Sequence, residues 1–471
     1  MINRIRGVFT TTLNCFKIPE LQHRIIFTVA VLFVVRLISL IPVPGLDGAL
    51  LTEFLKESAA KNDNSLLGMY SLFTGGALER CGIGSLGIMP YISATIIIQL
   101  LTAVLPGLSK MAREEGGRSK VIQIGRYLTV LLCLGQGFFM SLGWEKPEAL
   151  FPGFAGNLVL FSPDYIWAYR LQTVLVLTTG TLLLMWLGEQ ITERGIGNGI
   201  SLVITIGILA RLPDALLQVW GMFFPPEGVE KEFTALTAIA MVAIFVIVTG
   251  VVIAVTQAQR KIPVQYAQRA VGRKVYSGGS SFMPLRVNYA GVMPIIFAQA
   301  ILMFPDKILS LMARTLDVPF FDQLSAMITY GSVGYMIFEG LMILFFSYFW
   351  VATQFNEIQI ADDLKKYGGY IPGVRPGNAT SEFLHRTMSR ITFAGAMFLT
   401  AIAIIPLLIT RGLNIPFAAA TFFGGTSLLI TVGVVLDTMR QVESHLLTRH
   451  YDGFLKRVVS RGAMDENGSG F

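Results

Sequence analysis

SLLGMYSLFTGGALERCGIGSLGIMPYISATIIIQLLTAVL, Ser65–Leu105, is the stretch on which the fold turns. Its second part, GIMPYISATIIIQLL (Gly87–Leu101), is as apolar as any membrane helix. Its first part, Ser65–Gly82, is half apolar, broken by glycine, and carries Glu79 and Arg80. That piece is too short and too polar to cross a bilayer. In lipid, irregular backbone survives only where protein or a watery cavity supplies its hydrogen bonds. The stretch therefore belongs at the centre of the molecule, lining or blocking a cavity.

The rest of the chain agrees with a membrane setting. Of 471 residues, 53% are hydrophobic and 14% charged, and the mean hydropathy is +0.62. Soluble domains carry roughly 25% charged residues. The expected fold class is all-α, a polytopic membrane protein. Runs of about 15–22 apolar residues mark spans, and ten such runs occur. They are Ile25–Ile41, Ser85–Leu105, Val121–Leu142, Tyr169–Leu187, Gly199–Leu212, Ala235–Val255, Ala290–Phe304, Met336–Thr353, Ile391–Ile409 and Phe417–Leu436. The first is interrupted only by Arg36 and lacks a small-residue cleavage site, so it reads as a retained span rather than a signal peptide. The fifth and seventh are short. At 1.5 Å per residue, Gly199–Leu212 covers about 21 Å of a hydrocarbon core roughly 30 Å thick. Short spans fit the middle of a bundle that water enters from both sides.

Charge sorting orients the bundle. Arg4, Arg6, Lys17 and Arg24 crowd the N-terminus, and Lys110, Arg113, Arg118, Lys120 and Arg126 follow span two. Gln257–Asn288 holds Arg260, Lys261, Arg269, Arg273, Lys274 and Arg286 without one acid. Lys365, Lys366, Arg375, Arg386 and Arg390 follow span eight. The intervening loops carry Asp47, Glu53 and Glu57, then Glu145 and Glu148, then Glu227, Glu230 and Glu232. Both termini are therefore expected in the cytoplasm. The net charge of +7 follows from basic cytoplasmic loops rather than a nucleic-acid site.

Ten spans divide into five and five. Five is odd, so the halves are expected to be inverted in topology around a central pore, although no residue-level repeat is visible. The expected divisions are an N-terminal segment 1–24, a first half 25–212, an external linker 213–234, a second half 235–440 with cytoplasmic loops 256–289 and 354–390, and a tail 441–471.

The chain offers no catalytic set. It lacks a phosphate-binding Gly-x-x-x-x-Gly-Lys-Ser/Thr loop, a His-Glu-x-x-His and a Gly-x-Ser-x-Gly elbow. Cys15, Cys81 and Cys133 have no metal or disulfide spacing. Gly82-Ile83-Gly84-Ser85-Leu86-Gly87 matches Gly-x-Gly-x-x-Gly, but a dinucleotide site needs it between a strand and a helix. At a membrane border it reads better as a hinge. No metal, cofactor or catalytic residue is expected. Ionisable groups within the spans are few: Arg36, Glu189 at the end of span four, and Glu339, which reads as interfacial near the outer end of span eight.

Seven motifs in order carry a resemblance: IPVPGLDGALL (Ile41–Leu51), TGGALER (Thr74–Arg80), GIMPYISATIIIQLL (Gly87–Leu101), MWLGEQITERGIGNGIS (Met185–Ser201), AGVMPIIFA (Ala290–Ala298), GYIPGVRPG (Gly369–Gly377) and FFGGTSLLI (Phe422–Ile430). The chain resembles the SecY family, channel subunits of the bacterial protein translocase, over nearly its whole length. The resemblance implies a plug at about residues 66–80, with Thr74, Gly75, Gly76, Gly82 and Gly84 in the plug and its hinge. It implies a pore ring at Ile88, Ile92, Ile204, Ile296 and Ile430, of which Ile88 and Ile92 share one helix face by their spacing. It implies a lateral gate between spans two and three and spans seven and eight, where Gln99 and Asn288 are candidates for a closing hydrogen bond of about 1–2 kcal/mol or less. Arg260, Lys261, Arg269, Arg273, Lys274 and Arg375 become docking residues for the SecA motor and the ribosome, including its RNA.

The implied partners are small SecE-like and SecG-like membrane subunits, signal sequences, nascent polypeptides and the lipid bilayer. The implied location is the bacterial cytoplasmic membrane. A secondary transporter for a small solute is the alternative reading, distinguished by saturable, ion-coupled uptake. An intramembrane enzyme is a third reading, without residues to support it.

Overall fold

Each apolar run folds into a helix, and prolines and polar caps set where the helices begin. The computed structural model describes residues 18–60, 74–114, 116–150, 154, 156–224, 235–266, 269–271, 274–276, 279–302, 320, 323–324, 327, 332–413 and 425–466. The first half contains α1 (Pro19–Leu40), α2 (Gly48–Ala60), α3 (Met89–Val104), α4 (Pro106–Arg113), α5 (Gly117–Glu145), α6 (Ile166–Arg194), α7 (Gly199–Ala210) and α8 (Leu212–Phe223). The second half contains α9 (Ala235–Gln257), α10 (Met293–Leu302), α11 (Val333–Gln354), α12 (Glu357–Lys366), α13 (Asn378–Leu413) and α14 (Thr426–Glu466). Proline stands in the first turn of α1, α3, α4 and α8, where its missing N–H leaves no bond unmade. Asn198, Ser332 and Asn356 cap α7, α11 and α12 by accepting from the N–H groups of Ser201, Tyr335 and Gln359.

Every expected span overlaps a helix. Among the described residues, seven helical runs are long and apolar enough to cross a membrane by themselves, and eight if α3 and α4 are taken together. Those two meet at a bend of 104°. The residue before a proline is pushed out of the helical region, and Leu105, ahead of Pro106, sits extended at φ −89°, ψ 114°.

Two expectations change. Span five does not stop at Leu212: after one turn residue, Arg211, α8 carries the helical run on to Phe223. Pro213 reads in sequence as a terminator but here occupies the first turn of the next helix. The segment expected as a linker therefore begins as a helix, and residues 225–234 lie outside the described set. The membrane part is all-α, but the described residues of the loop beyond Gln257 form strands. It pairs β1 (Gln259–Tyr266) with β4 (Ser280–Arg286), and β2 (Arg269–Val271) with β3 (Lys274–Tyr276). β5 (Gly369–Tyr370), from the loop after α11, joins β1 on its other edge, giving the order β4-β1-β5. Alternation in β1 explains the strand: Ile262 and Val264 point inward while their charged and polar neighbours face out.

Within the first half, α5 and α6 run antiparallel and are stapled at both ends. Arg126 donates to Glu189 Oε1 and Oε2 at 3.2 and 2.8 Å. At the opposite end Arg170 donates to Glu145 Oε2 and Oε1, each at 3.0 Å. Forked pairs of this kind fix geometry as well as adding energy. Phe33, Leu131, Phe139, Val246 and Leu341 face outward, a surface suited to lipid or to another membrane helix. The largest apolar cluster lies inside and draws on α1, α3, α6, α7, α9, α10, α11, α13 and α14.

Candidate functional site

Two neighbouring features occupy the centre: an apolar seam and a polar neck. The seam gathers the five expected ring residues. Ile88, at the N-cap of α3, and Ile92, one turn on, come from one helix; Ile204 comes from α7, Ile296 from α10 and Ile430 from α14. All five belong to one cluster and are between 0 and 5% exposed. Three come from the first half and two from the second, so the cluster that holds them draws on both. A constriction lined by branched aliphatic side chains dewets and blocks ions.

The neck is Thr74–Gly87: the described end of the expected plug, residues 74–80, and the segment that joins it to α3; residues 66–73 lie outside the described set. Gly75 and Gly76 have φ of +64° and +83°, values that only glycine adopts without cost. Gly82 and Gly84 do not share this feature. Gly82 instead pairs with Pro42 in an isolated bridge, and its N–H donates to Ala77 O at 2.8 Å. Of the expected hinge glycines only Gly75 and Gly76 are left-handed; further along the neck Cys81 and Gly87, at φ +47° and +58°, are left-handed too.

Polar contacts surround the neck. Arg36 Nη1 donates to Gly75 O at 2.5 Å. Arg211 donates to Glu79 Oε1. Thr52 donates to Glu79 O at 3.0 Å, and Ser85 donates to Ala77 O at 3.1 Å. Val43 N–H donates to Cys81 O, and Ile83 N–H to Ile41 O, both at 2.8 Å. Sequence reading noticed Arg36 and Glu79 only as charges in unusual places, and it missed Arg211. The available signal was an arginine closing an otherwise uncharged apolar run.

Gln99 and Asn288 are not brought together. No hydrogen bond joins them, and Gln99 Oε1 is buried without a partner. Asn288 packs instead against α13, where a Cβ on Gly395 would lie 3.8 Å from Asn288 Cα. Glu339, read from sequence as interfacial, is buried at 1% exposure. Gln299 of α10 donates to its Oε1 at 3.3 Å, so an amide on the neighbouring helix draws it inward.

The basic platform is made of two separate sheets, β4-β1-β5 and β2-β3. Arg260 and Lys261 are exposed on β1, and Arg269 and Lys274 sit in β2 and β3; Arg273 lies outside the described residues. β5 leads directly into the turn bearing exposed Arg375. Thr380 donates to Arg375 O at 2.9 Å, and Gly373 and Gly377 supply the left-handed φ that the turn requires. Ile262, Leu285, Ile371 and Leu384 anchor the platform on a small apolar core.

A helical bundle with seven or eight apolar runs long enough to cross a membrane among the described residues defines a class: polytopic membrane proteins. The SecY family model matches residues 82–439. The protein translocase subunit SecY of Chlamydia trachomatis is 40% identical, covering 96% of this chain and 99% of its own. That of Thermotoga maritima is 41% identical, covering 95% and 98%. The chain belongs to the SecY family.

Solved structures share the fold at lower identity. One described as a protein-conducting channel has a TM-score of 0.59 at 19% identity, covering 89% of this chain and 91% of that one. A second, of a SecY whose plug domain is described as stabilising the closed state and maintaining a membrane seal, scores 0.55 at 19% identity with the same coverage. Canine Sec61 in a ribosome–channel complex scores 0.55 at 18% identity, again covering 89% and 91%.

Proposed function

We propose that this chain is the passive, protein-conducting channel of a bacterial cytoplasmic membrane. Unfolded secretory polypeptides pass through the seam, and apolar helices leave sideways into lipid. The observation that carries this reading is the meeting of Ile88, Ile92, Ile204, Ile296 and Ile430 from both halves in one buried cluster beside the neck. Branched side chains without hydrogen bonds part around varied sequences and close again, which a binding site lined with fixed polar groups does not do. In the resting state residues 66–80 serve as the plug.

The energy comes from partners, since the chain offers no nucleotide motif. Both termini and the basic platform face the cytoplasm, by the excess of Lys and Arg there. The platform receives the SecA motor and the ribosome, whose RNA phosphates attract Arg and Lys through counterion release. Small SecE-like and SecG-like subunits complete the assembly. Two experiments test this. Depleting the protein should halt secretion and membrane insertion; normal export without it ends the reading. Arg375→Glu should lower SecA-driven translocation by about tenfold, as loss of a positioned charge contact does, while leaving the amount of assembled protein unchanged. Equal loss of both would assign Arg375 a structural role.

A further inference from the structure

We infer that Arg36 and Arg211 are positioning residues that latch the neck of the plug into its seat, so that the plug is released by breaking a polar lock and not merely by widening the seam. The inference rests on the reading of residues 66–80 as the plug. Arg36 interrupts the otherwise uncharged run of α1 from Ile25 to Leu40, and a charge on an apolar span is retained where it has a specific partner. Its partner is the carbonyl of Gly75, a residue whose left-handed φ turns the backbone there. Arg211 stands at the break between α7 and α8 and pairs with Glu79. Its guanidinium also covers Gly76, where a Cβ would lie 3.3 Å from Arg211 Cζ. The two arginines thus hold successive turns of the neck.

The setting makes these contacts selective. Arg211 and Glu79 side chains are 17% and 24% exposed, so water competes for them less than at an open surface. Arg36 lies within the electrostatic reach of Arg80, Arg211 and Asp214. Asp214 is 3.8 Å from Arg211 and belongs to α8. Glu79 is therefore the acid that arrives and departs with the plug, while Arg36, Arg211 and Asp214 stay behind on α1, the α7–α8 break and α8.

Every partner named here for the neck belongs to the first half: Arg36, Ile41, Pro42, Val43, Thr52 and Arg211. The seam, by contrast, is completed by Ile296 and Ile430 from the second. Moving the halves apart opens the seam without touching the latch. Release of the plug is a separate step.

The test measures resting ion conductance of the full complex in planar bilayers. Deleting residues 66–80 establishes the leak of an unplugged channel. Arg211→Glu and Glu79→Arg should each leak at least about fivefold more than the unaltered channel, and combining them should restore the seal, as coupled pairs do. Arg36→Leu should leak, and Arg36→Lys, which keeps a charged donor, should leak less. If the deletion leaks but both charge reversals stay sealed, the latch is overturned and the plug reading stands. If the double reversal leaks like the singles, the arginines act only on folding and the latch is overturned. A deletion that stays sealed removes the plug reading itself.

Discussion

The seam and the neck adjoin at Gly87–Ile88, yet they close the centre with opposite chemistry. The seam uses branched aliphatic side chains from both halves, with no hydrogen bond across it. Packing of this kind is non-directional, tolerates small shifts and recovers when an inserted object leaves. The neck uses donors and acceptors with fixed directions, on partners from one half only. Such contacts recognise one segment and no other. A barrier meant to pass many sequences is built from the first kind, and a stopper that must return to one place from the second.

Several substitutions break or sharpen that contrast, and the largest effect belongs to the seam. Replacing Ile88 and Ile92 together with Gly removes two side chains of the ring and should raise resting conductance by about tenfold or more, since a wider, wetter constriction no longer dewets. Unchanged conductance would take both residues out of the ring. A smaller effect falls on the neck. Gly75→Val forces a side chain into a left-handed backbone, costing about 1–2 kcal/mol, and its Cβ would meet Arg36 and Gly207 at 3.0 Å. Partial unseating of the neck and a measurable leak should follow.

Gly84→Ala provides the contrast within the neck. Its φ is ordinary and its nearest neighbour would be 3.6 Å away, so the change should be neutral or up to about 1 kcal/mol stabilising by thermal melting. Destabilisation there would return Gly84 to the hinge. The smallest effect is expected at Gln99. Its Oε1 is buried and unpartnered, and removing such a group relieves a penalty of about 1–3 kcal/mol at most. Gln99→Leu should therefore hold or raise the melting temperature. A clear fall would restore a closing bond to this position.

Much of this was legible in the sequence, for physical reasons that also mark where reading fails. The spans were legible because a bilayer imposes length and polarity on any segment that crosses it. Charge bias separated the loops for the same reason. The spacing of Ile88 and Ile92 placed both on one helix face, but their meeting with Ile204, Ile296 and Ile430 came only through family resemblance. Contacts across long separations carry no local signal: Arg211 and Glu79 are 132 residues apart. Glu339 looked interfacial because its partner, Gln299, lies 40 residues away on another helix. The strands of the basic loop were hidden by charge, since only Ile262 and Val264 in β1 betray the alternation.

One measurement tests the central claim most directly. A photoreactive residue is placed singly at Ile92, Ile204 or Ile430 in the seam, or at Val246, which is 62% exposed on the outer surface of α9. A secretory precursor is then arrested halfway through transport and the complex irradiated. A protein-conducting seam predicts crosslinks to the precursor from all three seam positions and none from Val246. A precursor that crosslinks to Val246 but to no seam position would contradict it.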